Sequence, residues 1–274
     1  MGPKQLLFLL FAVSSFVLPN AKAVAQVIPP DVPITQQPAP ELKKIQEEDA
    51  DNIFRHRDIY FLSGEPDSKV QLSFKLRPIR SENLYFAYTQ QMFWELGKNS
   101  APFSDINYNP ELFYEWGIGK QFVRYIRAGI EHRSNGEEGP TSRSVDSFNV
   151  DTQMAVGLGK YEVLWNLKLH RNYDIDWVNN RDIANYMGWW STRFAVQGVD
   201  ADLFPRKAEA YISFYPGGAN GDKIGNGALE MGLKYRARLF GFMPYLMVQY
   251  YYGYMESLIT YNEKTHSYRL GFQF

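Results

Sequence analysis

From about residue 57 to residue 274 the chain is written largely in period two. Side chains two apart on a strand share a face, so each alternating run presents one apolar and one polar surface. About twelve such runs follow one another, near 57–62, 69–77, 83–94, 110–119, 124–134, 146–158, 161–171, 186–198, 203–215, 228–236, 240–254 and 267–274. The connections alternate in length. Those at 78–82, 120–123, 159–160, 199–202 and 237–239 are short, and those around 95–109, 135–145, 172–185, 216–227 and 255–266 are long and polar. An even number of antiparallel strands, with short turns at one end and long loops at the other, is the pattern of a transmembrane β-barrel. Its apolar faces meet lipid and its polar faces line the interior. A secreted sandwich or a lipocalin-like barrel would turn the same apolar faces to a packed core. The alternating loop lengths favour the membrane.

The ends of the chain agree with export to a membrane. Lys4, the apolar run Leu6 to Leu18, and the small residues of Ala21-Lys22-Ala23 or Ala23-Val24-Ala25 read as a secretory signal over residues 1–25. That apolar run is too short for a spanning helix, and no later segment is long and apolar enough to be one. Residues 26–52 hold Pro29, Pro30, Pro33, Pro38 and Pro40 and then a charged stretch, which reads as an N-terminal arm. The barrel would occupy 53–274. Its last strand places Tyr268, Leu270, Phe272 and Phe274 on one face, similar to the closing strand of bacterial outer-membrane proteins. A chain of 274 residues without cysteine is large enough to close a barrel with no disulfide. A 16% aromatic share suits interfacial girdles, and a formal net charge of −1 argues against a nucleic-acid partner.

Two strands carry polar groups on the face that should be apolar. In 126–134 one face reads Ile126, Ala128, Ile130, His132, Ser134 and the other Arg127, Gly129, Glu131, Arg133. In 146–158 the apolar face reads Asp146, Phe148, Val150, Thr152, Met154, Val156, Leu158. A hairpin brings Asp146 beside His132 and Ser134 on the outer wall, at the rim where the long loop leaves. Serine, histidine and carboxylate in that order form an acyl-transfer triad: Ser134 attacks, His132 takes its proton, and Asp146 orients the imidazole and stabilises the imidazolium. The plain alternative is a set of interfacial polar residues next to a loop. Against it, a lipid-facing carboxylate costs up to a few kcal/mol, less near the interface, so a partner or a function is expected. The inward Arg127, Glu131, Arg133 and Asp151 read as a polar network filling the lumen, and no pore is expected.

The segment His132-Arg133-Ser134-Asn135-Gly136, continued by Pro140-Thr141-Ser142-Arg143-Ser144, closely resembles the active-site segment of the bacterial outer membrane phospholipase A family. Tyr88-Thr89-Gln90, Ser100-Ala101-Pro102-Phe103, Asn107 to Phe113, Tyr186-Met187-Gly188 and Glu256-Ser257-Leu258-Ile259 with Tyr261-Asn262 are similar as well. The resemblance runs from about the third strand to the C-terminus. It implies a twelve-stranded barrel of the bacterial outer membrane, active near the outer leaflet. Such a barrel hydrolyses phospholipid acyl esters, requires calcium and works as a homodimer. The resemblance assigns nucleophile and base to Ser134 and His132. The third member, usually asparagine, is Asp146 here, which keeps an acceptor for the imidazole and adds charge. Gly136 N–H would serve the oxyanion. Calcium ligands carried over are Ser142, Ser100 from the second subunit, and Glu137 through its carbonyl, where relatives carry arginine. Oxygen donors suit a hard cation. Gly139 stands where a secondary calcium site can have aspartate, which argues against that site.

Gln90 belongs to the outward face Leu84, Phe86, Tyr88, Gln90, Met92, Trp94. A lipid-facing amide requires a partner, and in the resembled family the matching glutamine bonds across the dimer interface. The departures at Asp146 and Glu137 keep open a non-catalytic barrel, a channel or an adhesin. The glycine-rich stretch 216–223 lacks phosphate-loop spacing and reads as an external loop.

Overall fold

The computed structural model describes residues 52–118, 122–198, 208–237 and 244–274. The expected signal segment 1–25 and nearly all of the arm 26–52 lie outside the described residues, as do parts of three short turns. Thirteen strands follow in order: β1 (Ile53–Arg55), β2 (Tyr60–Glu65), β3 (Ser68–Leu76), β4 (Leu84–Trp94), β5 (Phe103–Gly117), β6 (Val123–Ser134), β7 (Ser144–Leu158), β8 (Tyr161–Ile175), β9 (Trp190–Gly198), β10 (Ala208–Gly217), β11 (Lys223–Arg236), β12 (Tyr245–Gly253) and β13 (Thr265–Gln273). Each of β2 to β13 pairs antiparallel with its sequence neighbour, and β13 returns to β2, closing a ring of twelve. The short β1 adds to the lower half of β3. β1 and β2 together act as one interrupted first strand. Closure leaves no open edge, which is what a sheet must achieve in lipid.

Alternation decides what faces where. On β13, Tyr268, Leu270 and Phe272 are 54%, 60% and 38% exposed, whereas Ser267, Arg269 and Gln273 between them are buried. Leu72, Phe148, Val150, Phe194, Ile212, Leu233, Leu246 and Val248 continue this exposed apolar belt around the ring. So continuous an apolar surface on a monomer is far beyond what water tolerates, and it is the surface of a barrel that crosses with strands. The interior is polar. Lys234 meets Asp58 and Glu209, Arg127 meets Glu115 and Asp151, and Arg269 meets Asp67 and Glu256. Between these pairs the lumen keeps a cavity of about 640 Å³.

Three differences from the sequence reading have identifiable causes. The region 95–109 is half strand, since β5 begins at Phe103 and runs through Asn107-Tyr108-Asn109-Pro110. Asparagine and proline there resemble turn signals. Asn107 and Asn109 are instead inward polar residues, and Pro110 sits where the β5–β6 ladder skips two pairs, between Tyr108–Ser134 and Glu111–Glu131. β9 starts at Trp190, preceded by a 3-10 turn at Ile183–Asn185. The glycine-rich stretch is docked, with Gly188 N–H donating to the Pro216 carbonyl and Gly218 N–H to the Asn185 carbonyl.

Two long loops fold against the barrel's loop end. Ser257 and the Ile259 N–H both donate to Asp105, and the Leu258 N–H donates to Asn107 Oδ1. Val145, Ile183, Met187 and Tyr261 pack into one buried cluster. The Tyr261 hydroxyl donates to Asp182, and partial burial together with that carboxylate pushes it up to about 12. It stays a neutral donor at any physiological pH.

Candidate active site

The site begins with the register of β5, β6 and β7. Ser134 stands between Tyr108 on one side and Ser144 on the other, and His132 pairs with Asp146. One residue along, Glu131 faces the lumen and is fully buried. Its Oε1 accepts from Asn109 at 2.6 Å, and its Oε2 accepts from Asn149 at 2.7 Å and Lys168 at 2.5 Å. Arg133 and Arg57 add ion pairs at 3.0 and 3.4 Å. Strand parity then turns His132, Ser134 and Asp146 to the outer face. All three are more than nine-tenths buried by their surroundings at the rim.

His132 Nδ1 and Asp146 Oδ1 lie 2.6 Å apart. A carboxylate there holds the imidazole in the tautomer that carries its proton on Nδ1. Ser134 Oγ is buried and has no hydrogen-bond partner among the described residues. The structure therefore brings His132 and Asp146 into contact and leaves the Ser134 hydroxyl beside them, two residues along the same face as His132, without a bond to either.

The loop after Ser134 is tied by a residue to which the sequence reading gave no role. Asn135 is buried, its Oδ1 accepts from the N–H of Arg143 at 2.9 Å and of Glu137 at 3.4 Å, and its Nδ2 donates to the Thr141 carbonyl at 2.9 Å. Its own N–H donates to the Arg143 carbonyl. One side chain thus clasps both arms of the turn. Such side-chain-to-backbone bonding is what asparagine offers. Gly136 follows with φ +72, and a Cβ there would come 2.9 Å from the Tyr108 ring. Left-handed backbone and the ring together call for glycine. Gly139 is also left-handed and opens a 3-10 turn that ends at Ser142.

Of the calcium-ligand candidates, Ser142 and Glu137 sit on this loop. Ser100 lies in the β4–β5 loop, where it and Ala101 both have positive φ. No group of three His, Cys, Asp or Glu side chains placed to hold a metal ion occurs among the described residues. A cation here would rest on serine hydroxyls and carbonyls, a donor set of oxygen only, which fits a hard ion. Gln90 lies on the outward face of β4. Its Oε1 accepts from the Tyr88 hydroxyl of the same strand at 3.1 Å, so the outward amide is half satisfied without a second chain.

Met187 and Tyr261, from two of the resembling blocks, pack with Ile183 behind Val145, the neighbour of Asp146. The period-two pattern carries no signal for this, because the packing involves loops.

A family model described as Phospholipase A1 matches residues 35–274, reaching further toward the N-terminus than the motif blocks do. A phospholipase A1 of Klebsiella pneumoniae is 32% identical over 208 residues, covering 71% of this chain and 64% of the relative. The phospholipase A1 of Escherichia coli K12 is 30% identical over 187 residues, covering 64% of this chain and 56% of the relative. These matches span between half and two thirds of the curated relatives' length. Among solved structures, outer membrane phospholipase A from Escherichia coli superposes with TM-score 0.67 at 24% identity, over 81% of this chain and 97% of that one. The Salmonella typhi outer membrane phospholipase, solved as a dimer with bound calcium, gives TM-score 0.67 at 23% identity, over 85% and 96%. At these identities the superpositions show a shared barrel fold.

Proposed function

The chain belongs to the phospholipase A1 family, and from that premise we propose that it is a calcium-dependent outer-membrane hydrolase of glycerophospholipid acyl esters. The observation that carries this reading is the 2.6 Å contact between His132 and Asp146 on the outer wall, with the orphaned Ser134 hydroxyl on the same face. Polar groups turned to the hydrocarbon side serve a substrate that arrives from that side. The site would lie at the level of the outer leaflet, because the long loops leave the barrel there.

Ser134 Oγ attacks the ester carbonyl while His132 Nε2 takes its proton. Asp146 keeps Nδ1 protonated and stabilises the imidazolium that forms. The tetrahedral oxyanion receives the Gly136 N–H. His132 returns the proton to the departing glycerol oxygen, so a lysophospholipid leaves and Ser134 carries the acyl group. Water then attacks the acyl-enzyme with His132 again as base, releasing the fatty acid and restoring the hydroxyl. Ser142, the Glu137 carbonyl and Ser100 of a second copy would hold calcium. When bound, the ion supplies positive charge that polarises the carbonyl and offsets the oxyanion. Joining two copies through the face that carries Gln90 would complete that donor set, so a homodimer is the active form.

The test is hydrolysis of phosphatidylethanolamine by refolded protein with calcium and with chelator, alongside Ser134→Ala. Calcium-dependent release of lysophospholipid and fatty acid, lost in the variant, is expected. A Ser134→Ala protein that folds and still hydrolyses removes the proposal. The 640 Å³ lumen cavity also suits a second reading, a non-catalytic channel. Steady conductance in planar bilayers with no lipid hydrolysis would favour it.

A further inference from the structure

β9 begins at Trp190, opposite Leu169, so beyond that pair the wall beside β8 is completed by the docked loop. His170 N–H donates to the Trp189 carbonyl, and Gly188 N–H to the Pro216 carbonyl. Unsatisfied polar atoms gather at this seam. Both ring nitrogens of His170 and the Oδ1 of Asn172 are buried with no hydrogen-bond partner among the described residues. His170 and Asn172 are two apart on β8 and share its inward face with Lys168. Asn172 Nδ2 donates to Met187 Sδ at 3.3 Å. The Gly188 backbone comes close to the imidazole without hydrogen-bond geometry. One imidazole, one thioether and one amide oxygen thus stand together. His170 and Met187 both line the 640 Å³ lumen cavity, so these donors face a polar space.

Buried polar atoms are nearly always paired, and three orphans in one place call for a ligand. The donor set decides which. A thioether is a soft ligand and imidazole suits copper, whereas calcium and magnesium take oxygen. Charge points the same way. Lys168 and Arg133 lie near His170, each paired with Glu131. Against any positive charge they leave, a divalent ion meets twice the repulsion of a monovalent one. Lumen water would bond the ring and the amide oxygen and has no use for the sulfur.

We propose that His170, Met187 and Asn172 form a site for a soft monovalent cation of the Cu(I) class. An imidazole nitrogen and the Met187 sulfur are the two strong donors, and Asn172 Oδ1 is a weak third. The other ring nitrogen keeps its proton and turns it to the Gly188 carbonyl, the outer bond that metal-bound histidines make. Binding goes through lone pairs and changes no oxidation state. The site is separate from the calcium donors around Ser134, and it does not depend on whether the chain hydrolyses lipid.

The experiment uses the full chain refolded in detergent micelles, carrying methyl-labelled methionine and followed by heteronuclear NMR. Silver nitrate in chloride-free buffer supplies Ag(I), a redox-stable probe of the same class. Ag(I) should shift the methyl resonance that Met187→Leu removes, saturating at one ion per chain. His170 lies outside the apolar cluster that holds Met187. His170→Gln should therefore leave the fold intact and raise the midpoint of the shift at least about tenfold. Met231→Leu, on the lipid-facing wall, should leave the midpoint unchanged. Calcium in large excess should neither move the resonance nor compete. A Met187 resonance that stays in place would overturn the proposal and leave lumen water as the occupant. Equal midpoints in the parent and His170→Gln would overturn it too, as would displacement of Ag(I) by calcium. Heat-modifiable mobility on electrophoresis checks that each variant is folded.

Discussion

Replacing Glu131 by leucine tests the face assignment on which the site depends. Glu131 is fully buried and receives Asn109, Asn149, Lys168, Arg133 and Arg57. Those partners come from β5, β7, β8, β6 itself and the segment between β1 and β2. Leucine matches the volume approximately and removes every acceptor. Arg57 keeps Glu111 as a second carboxylate at 2.5 Å, whereas Lys168 and Arg133 have no other ion-pair acceptor among the described residues. Removing one side of a buried ion pair costs about 3–5 kcal/mol. That is a large part of the roughly 5–15 kcal/mol by which a folded domain is stable. Glu131→Gln keeps the shape, loses the charge and places an amide donor among donors, so a loss of about 1–3 kcal/mol is expected. The assay is guanidinium-dependent unfolding from lipid vesicles, read by tryptophan emission and heat-modifiable migration. A double-mutant cycle with Lys168→Met should show coupling of about 0.5–3 kcal/mol. If Glu131→Leu unfolds at the parent midpoint, Glu131 is not in the lumen. His132, its neighbour on the opposite face, is then not on the outer wall, and the reasoning fails at its first step.

Asp146→Ala should lower kcat for phospholipid hydrolysis by about 10²–10⁴, since the imidazole loses both its orientation and the charge that stabilises its protonated form. Asp146→Asn keeps an acceptor 2.6 Å from Nδ1 and should lose much less, so equal losses in the two variants would show that the contact is not used. Gly136→Ala should cut activity and calcium response together, because the new methyl meets the Tyr108 ring at 2.9 Å on a backbone of φ +72; activity assays at saturating calcium would expose this. Asn135→Ala removes three side-chain hydrogen bonds from the loop and should destabilise it by about 1–3 kcal/mol, seen as faster proteolysis within 136–142 while the barrel stays intact. Chelation should stop hydrolysis without changing the unfolding midpoint of the barrel, and Ser142→Ala should raise the calcium concentration needed for half-maximal rate.

What the amino-acid order determined alone was facing. With a side-chain period of two, placing Glu131 and Arg133 inward obliges His132 and Ser134 to point outward, and the same parity assigns Asp146 once the hairpin is drawn. The twelve-strand count, the polar interior and the exposed apolar belt follow from that period together with the alternation of loop lengths. Tertiary structure decided what period two cannot encode. It determined that Asn107 to Pro110 is strand, because inward asparagines resemble a turn until the lumen they point into exists. It chose which of the buried carboxylates meets which cation, a matter of barrel shear and diameter that local sequence does not carry. It folded two long loops behind Val145, clasped the turn after Ser134 with Asn135, and gave Gln90 a neighbour in Tyr88. It also opened the wall beside β8, where β9 starts only at Trp190. Strand pattern is local and survives in sequence. Closure of a ring, loop docking and partner choice depend on residues far apart in the chain, and only three dimensions bring them together.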